Sequence, residues 1–352
     1  MPTITLDKKD VMNLIGKEIP EDKLKDRISM LGTDLEQVTD TEIIVEVFPN
    51  RPDLLSEEGF ARALSSFIGV KTGLRKYDVK KSSFKVNVEK SVENVRPFIR
   101  CAVLKNVDLT DKAIKSLMQL QEKLHLTHGR KRKKVAIGVH DFDAIKFPLV
   151  YKAVKPDSIS FIPLEMTEEM NLAEILVKHP KGRDYAFALE GLSNYPVIMD
   201  AKNDVVSFPP VINGVVTQVK ENTKNLFIDV TGLDVNAVAQ ALNILVASLA
   251  DRGAGIYSLD VDGVVSPDLK PRKMKIDLNY VNKLLGLNLN EKKFVELLEK
   301  MGLGYDTDVL IPAYRGDIIH AVDIVEAIAI AYGFESFEPE IPNLATIAEE
   351  NS

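Results

Sequence analysis

Cysteine is nearly absent. Cys101 is the one cysteine in 352 residues, which excludes an intramolecular disulfide framework and fits a reducing, cytoplasmic setting. Histidine is sparse too: His125, His128, His140, His179 and His320 include no pair at i, i+4. That argues against a zinc site and, with a lone cysteine, against a Cys/His nucleophile pair. No P-loop glycine pattern occurs. The opening MPTITLDKKDVMNLIG has no apolar signal core, and no run approaches the ~20 apolar residues of a membrane span. A formal charge of −7 argues against a chain coated by nucleic acid, while leaving room for a local basic site. What is present is core-building material. At 45% hydrophobic, a chain of this length can fill two or three domains.

An internal repeat organises the chain. VMNLIGKEIPEDKLKDRISMLG (11–32) and VNKLLGLNLNEKKFVELLEKMG (281–302) share aliphatic, glycine and glutamate positions at a constant offset of 270. Each copy reads as a short helix closed by Gly16 or Gly286, then an amphipathic helix closed by Gly32 or Gly302. A C′ glycine supplies the positive φ such an ending needs. Further on, Arg51/Arg315, Asp53/Asp317 and Gly69/Gly333 share an offset of 264. The six-residue change is expected in a loop around Thr33–Glu46. Asp53 and Asp317 are expected to be helix N-caps. The boundaries that follow are 1–85, 86–270 and 271–352, two related modules bracketing a middle domain.

The middle region is mixed α/β. Runs Phe84–Val88, Ile99–Val103, Val135–Val139, Tyr195–Met199, Val211–Val219 and Leu226–Val230 read as strands. A helix is expected to start at the N-cap Asp234 and to end at Gly253. Asp229 stands out as a carboxylate inside the apolar run Asn225–Thr231. It either closes an Asx-type turn at the strand end or binds something. Asn213-Gly214 is first a hairpin-turn signal. Pro209-Pro210 cannot donate ladder bonds, so it marks a sheet edge or a cavity wall. His140-Asp141, ending a strand, either lines the pocket or serves a turn, and the turn is the expected role. The run Arg130, Lys131, Arg132, Lys133, Lys134 is a solvated loop or a salt-sensitive phosphate contact, with no aromatic signature beside it. Asp317, Asp323 and Glu326 cluster around a helix start, Asp323 and Glu326 sharing a face.

Four stretches in order, PNRPDLLSEEGFARAL, RKRKKVAIGVHDFD, SFPPVINGVVTQVKENTKNLFIDVTG and IPAYRGDIIHAVDIVEAIAIAYGF, resemble the β subunit of phenylalanyl-tRNA synthetase of the archaeal and eukaryotic type. The resemblance covers nearly the whole chain. It implies an α+β multidomain fold, a mixed α/β editing domain flanked by two related small α/β modules of winged-helix-like, DNA-binding-like type. It also implies hydrolysis of mischarged tyrosyl-tRNA for phenylalanine by that middle domain. ATP-dependent aminoacylation falls to an α subunit within an α2β2 heterotetramer, and tRNA(Phe) is the nucleic-acid partner. Family members continue into a further domain, so the chain reads as a fragment.

The resemblance places Asp229 where related bacterial proteins carry a glutamate that reads the tyrosine hydroxyl. Thr231, two residues on, takes the same side of a continuing strand, Asn213 and Pro209-Pro210 are candidates for the pocket wall, Ser207 and Lys202 are lesser candidates for amine or phosphate contacts, and the basic run is the candidate for tRNA. It implies magnesium at Asp317, Asp323 and Glu326, shared with the α subunit, although Ala327 stands where relatives usually carry a fourth acid. Editing itself needs no cofactor, because water oriented with the tRNA's own hydroxyl can hydrolyse an ester. The rival reading is a non-catalytic tRNA- or subunit-docking scaffold with a decayed pocket. A metal-dependent hydrolase lacks the His/Asp clusters it needs.

Overall fold

The computed structural model describes residues 2–339 and residue 350. The final residues of the last module, 340–349 and 351–352, lie outside the described residues.

The two outer modules repeat one another element by element. In the first, helices Lys8–Ile15 and Glu21–Met30 precede a hairpin and the helix Glu57–Phe67. In the last, Leu278–Leu285, Glu291–Lys300 and Ala321–Tyr332 recur in the same order. Each carries a three-stranded antiparallel sheet with the last strand in the centre. The orders are Thr3–Asp7, Glu42–Glu46, Asp34–Val38 and Arg272–Met274, Asp308–Ile311, Gly304–Asp306. Gly16 and Gly286 close the first helix of each copy at φ 82° and 66°, the left-handed conformation that glycine adopts without steric cost.

Two expectations about the modules need correction. Five of the six residues fall not in a loop but in the hairpin, whose arms and turn span 34–46 in the first copy and only 304–311 in the last, and the sixth falls in the short link from the hairpin to Arg51 or Arg315. Shortening both arms of a hairpin keeps every remaining side chain on its own face, so the core tolerates it. Asp53 and Asp317 are not N-caps. Ser56 caps Glu57–Phe67 through its hydroxyl, and His320 stands at the N-cap of Ala321–Tyr332, its backbone N–H donating to Asp323. Each aspartate instead takes the arginine two residues before it in a two-pronged ion pair. Arg51–Asp53 has both contacts at 2.9 Å, and Arg315–Asp317 both at 2.7 Å. The duplication thus conserves a buried bidentate pair.

The middle domain is layered. A five-stranded sheet runs Val79–Lys80, Gly255–Tyr257, Phe98–Lys105, Asn225–Gly232, Val135–Asp141. On one of its faces Ala102, Leu104, Leu226, Ile228 and Val230 share a buried cluster with the helix Val235–Asp251. That helix begins, as expected, at Asp234, whose carboxylate accepts from the Ala237 N–H at 2.9 Å. On the other face Ile99, Cys101, Val103 and Phe227 meet Val86, Leu149, Tyr151, Ile198 and Val206 of a seven-stranded sheet. The seven-stranded sheet runs from the edge strand Ile212–Asn213 through Val205–Phe208, Tyr195–Met199, Leu149–Val154 and Lys85–Val88 to Leu259–Val261 and Val264–Ser266. Alternation with period two separates the two faces. The helix Val235–Asp251 also reaches the outer modules, through Ser248 to Ser56 at 3.2 Å and Asn243 to the Ala313 carbonyl at 3.5 Å.

Candidate active site

The edge strand of one sheet meets the edge hairpin of the other at the middle domain's polar centre. Asp229 lies inside the strand Asn225–Gly232, 1% exposed, on the face between the sheets. It closes no turn, because the ladder continues through Thr231 and Gly232 on both sides. Its Oδ2 sits 2.8 Å from His140 Nε2, and His140 Nδ1 sits 2.8 Å from Thr217 Oγ1. All three residues are buried. The geometry suits an Nε2–H donated to the carboxylate, with Nδ1 accepting from the threonine hydroxyl. Only Oδ2 is used by a protein partner among the described residues, which leaves Oδ1 to accept another bond.

Room for this pair comes from Gly138, directly across the ladder from Asp229. A Cβ there would lie 2.1 Å from Asp229 Oδ2 and 2.6 Å from His140 Nε2. A glycine inside a strand often marks such a close approach.

Beside Asp229 opens a cavity of about 150 Å³ bounded by Ser207, Pro209, Pro210, Asn213, Gly138 and Arg132, among others. That is the size of cavity that accepts a benzene ring. Its hairpin wall does not turn at Asn213-Gly214, as the dipeptide suggested. The turn is Phe208–Val211, closed by the Val211 N–H to the Phe208 carbonyl at 2.8 Å, with Pro209–Pro210 cis at its centre. Prolines need no ladder partner there, and the pairing of Ser207 with Asn213 sets the turn. Ser207 Oγ donates to Asn213 Oδ1 at 3.0 Å, and Asn213 Nδ2 reaches the Val139 carbonyl at 3.4 Å, tying hairpin to strand. The expected strand Val211–Val219 is accordingly only Ile212–Asn213, followed by a short 3-10 turn, Val215–Thr217, that delivers Thr217 to His140.

Three family models match in chain order: the Phe-tRNA synthetase beta subunit B1 domain over 1–70, the B3/4 domain over 90–248 and the tRNA synthetase B5 domain over 274–334. Phenylalanine–tRNA ligase beta subunits of Archaeoglobus fulgidus and Methanosphaera stadtmanae are 48% and 40% identical over 98% and 100% of this chain. The chain spans 64% and 65% of their lengths. The crystal structure of an N-terminal fragment of the phenylalanyl-tRNA synthetase beta subunit from Pyrococcus horikoshii matches with a TM-score of 0.89 at 39% identity. That match covers 94% of this chain and 99% of the other. The chain belongs to the phenylalanyl-tRNA synthetase β-subunit family.

Within this β-subunit fold, Asp229, Asn213, Ser207, Pro209 and Pro210 converge on the cavity, and Arg132 joins them from the basic run. Arg132 donates to the Val211 carbonyl at 3.0 Å and lies 4.1 Å from the centre of the Tyr185 ring. Arg130, Lys131 and Lys133 stay exposed, and Lys134 pairs with Asp234 at 3.4 Å. Thr231 keeps to the Asp229 face, but its hydroxyl accepts from Arg96 Nε at 2.8 Å and does not line the cavity. Burial pushes the Arg96 guanidinium down to about 10, against the pull of Tyr151 and Asp229. Lys202 is exposed on the turn around Asp200, away from the cavity, because Asp200 gathers that turn's N–H groups. Cys101 faces Asp229 across the ladder with its thiol pushed up by burial and then by that carboxylate, so it stays a thiol.

The acids of the last module do not assemble. Asp317 spends both oxygens on Arg315, Asp323 Oδ2 accepts from the Ile319 and His320 N–H groups at 2.7 Å, and Glu326 is exposed. Among the described residues no group of three or more His, Cys, Asp or Glu could hold a metal ion. By themselves these residues do not fit magnesium. His140, expected at a turn, holds the Asp229 carboxylate instead; Asp141 makes the turn, accepting from the Asp143 N–H at 3.0 Å. The glycine two residues before His140 was the available signal.

Proposed function

We propose that this chain is the editing part of a phenylalanyl-tRNA synthetase and hydrolyses tyrosyl-tRNA for phenylalanine. The observation that carries the reading is a buried carboxylate, held by His140 at 2.8 Å, beside a ring-sized cavity walled by Pro209 and Pro210. A synthetic pocket for phenylalanine gains only about 100-fold against an isostere with an added hydroxyl. A second pocket can demand that hydroxyl. The tyrosine ring enters the cavity and its phenolic O–H donates to Asp229 Oδ1, while His140 holds Oδ2. Phenylalanine in the same place leaves Oδ1 without a partner, at a cost of ~1–3 kcal/mol.

No protein nucleophile is required. Water attacks the ester carbonyl carbon, the bond to the ribose oxygen breaks, and that oxygen takes the proton, giving tyrosine and free tRNA. The neighbouring ribose hydroxyl orients the water. Arg130, Lys131 and Lys133, exposed beside the cavity wall, supply phosphate contacts to tRNA(Phe). An α subunit carrying the ATP-dependent synthetic site completes an α2β2 assembly in this reading. Any magnesium near Glu326 draws its other donors from that partner. The cytoplasm is the expected location, and no helix among the described residues is long and apolar enough to cross a membrane.

The test is single-turnover deacylation by the chain alone, with tyrosyl- and phenylalanyl-tRNA(Phe) as substrates. Faster release of tyrosine supports editing. Binding of tRNA with no hydrolysis of either ester would leave the docking scaffold as the function.

A further inference from the structure

A second and larger cavity, of about 560 Å³, lies where all three domains meet. The segment 74–81 leaving the first module forms one wall, the segment 265–271 leaving the middle domain forms another, and Leu310 of the last module lies between them. This volume falls in the range of small-molecule sites, which favour domain junctions. The interior is apolar: Leu74, Val79, Pro267, Leu269, Pro271 and Leu310.

The charge around it has one sign. Arg75, Lys76, Lys81 and Lys270 line the cavity against a single carboxylate, Asp268. None of those four cations forms an ion pair among the described residues. Lys76 and Lys270 are exposed at the rim. Asp268 is engaged, accepting from the Lys270 N–H at 3.1 Å. An apolar hollow with unneutralised cations at its mouth concentrates anions and desolvates only their apolar portion.

We propose that this junction binds a small amphipathic anion, one with a body of two or three rings and a phosphate, sulfonate or carboxylate head. The body fills the space between Leu74, Leu269 and Leu310, and the head stays at the rim with Lys76, Lys81 and Lys270. A ligand so placed would touch all three domains and bias how they sit together.

The probe is 8-anilinonaphthalene-1-sulfonate, followed by fluorescence titration of the full chain. The control is N-phenyl-1-naphthylamine, which has the same ring body and no charge. One saturable site is expected, with the neutral probe about tenfold weaker or more, and with the double variant Lys76→Glu/Lys270→Glu losing about tenfold or more in sulfonate affinity. Both substitutions fall on exposed side chains, and unchanged thermal melting of the variant shows that the fold is kept. An Asp229→Ala variant, which alters the other cavity, should bind the probe as the parent does. Equal affinity for both probes, sulfonate binding insensitive to the charge reversal, or loss of the site in Asp229→Ala would each overturn the proposal.

Discussion

Asp229→Ala separates recognition from architecture. The substitution removes the partner of His140 Nε2, a ring that is 0% exposed, so an unpaired buried donor costs the fold ~1–3 kcal/mol. In a domain the size of the middle one that lowers Tm by a few degrees, about 2–4 °C per kcal/mol. The substrate side has its own cost. Without Oδ1 the tyrosine hydroxyl loses its acceptor, another ~1–3 kcal/mol, or roughly 5- to 150-fold in the rate of tyrosine release. Phenylalanine no longer leaves an acceptor unpaired, so its slow release should hold or rise, and the ratio of the two rates should collapse toward one. The assay is single-turnover deacylation of both esters at matched fractions of folded protein, beside a thermal melt. A proportional fall for both substrates would instead place the α-ammonium on Asp229. A lower Tm with both rates and their ratio intact would refute the reasoning, leaving Asp229 a structural partner of His140 and moving recognition to Ser207 and Asn213.

Three further outcomes follow from the same contacts. Gly138→Ala puts a Cβ 2.1 Å from Asp229 Oδ2, forcing the pair apart, and should reduce tyrosine release at least about tenfold while circular dichroism stays native. Arg51→Met strips the bidentate partner from buried Asp53 and should destabilise by ~3–5 kcal/mol in urea unfolding, with deacylation by the folded fraction unchanged. His125 is held down to about 4, chiefly by burial, and its Nε2 accepts the Ile137 N–H at 2.8 Å. Its unfolded form takes a proton near 6.5 that the native form refuses. Stability is therefore intact above about pH 6.5 and falls as pH drops toward 4, by an order of 3 kcal/mol in full. His125→Asn should be less stable at neutral pH and flatten that dependence in urea titrations at pH 7, 5.5 and 4.5.

Local chemistry alone settled a good deal of this protein. Paired glycines at fixed offsets mark helix ends in both modules, because only glycine takes those positive φ values cheaply. Asp234 had to start a helix, and the β-branched runs around Leu226–Val230 had to form strands. The candidates Asp229, Ser207, Pro209, Pro210 and Asn213 came from one contiguous stretch, so the turn of the hairpin was enough to bring most of them together.

Tertiary structure decided the rest. Period-two alternation says which face Asp229 takes, but not which residue of another strand lies opposite. That register brings Gly138 across from Asp229 and His140 onto its carboxylate, 89 positions away in the chain. The Arg51–Asp53 and Arg315–Asp317 pairs also looked like caps in sequence, since an aspartate before a helix usually is one. Burial changed the outcome: an arginine two residues away, with no water to solvate it, takes both carboxylate oxygens before a backbone N–H can. Spacing along the chain carries helix ends and strand faces. The partner of a buried charge is set by which segments the core packs around it.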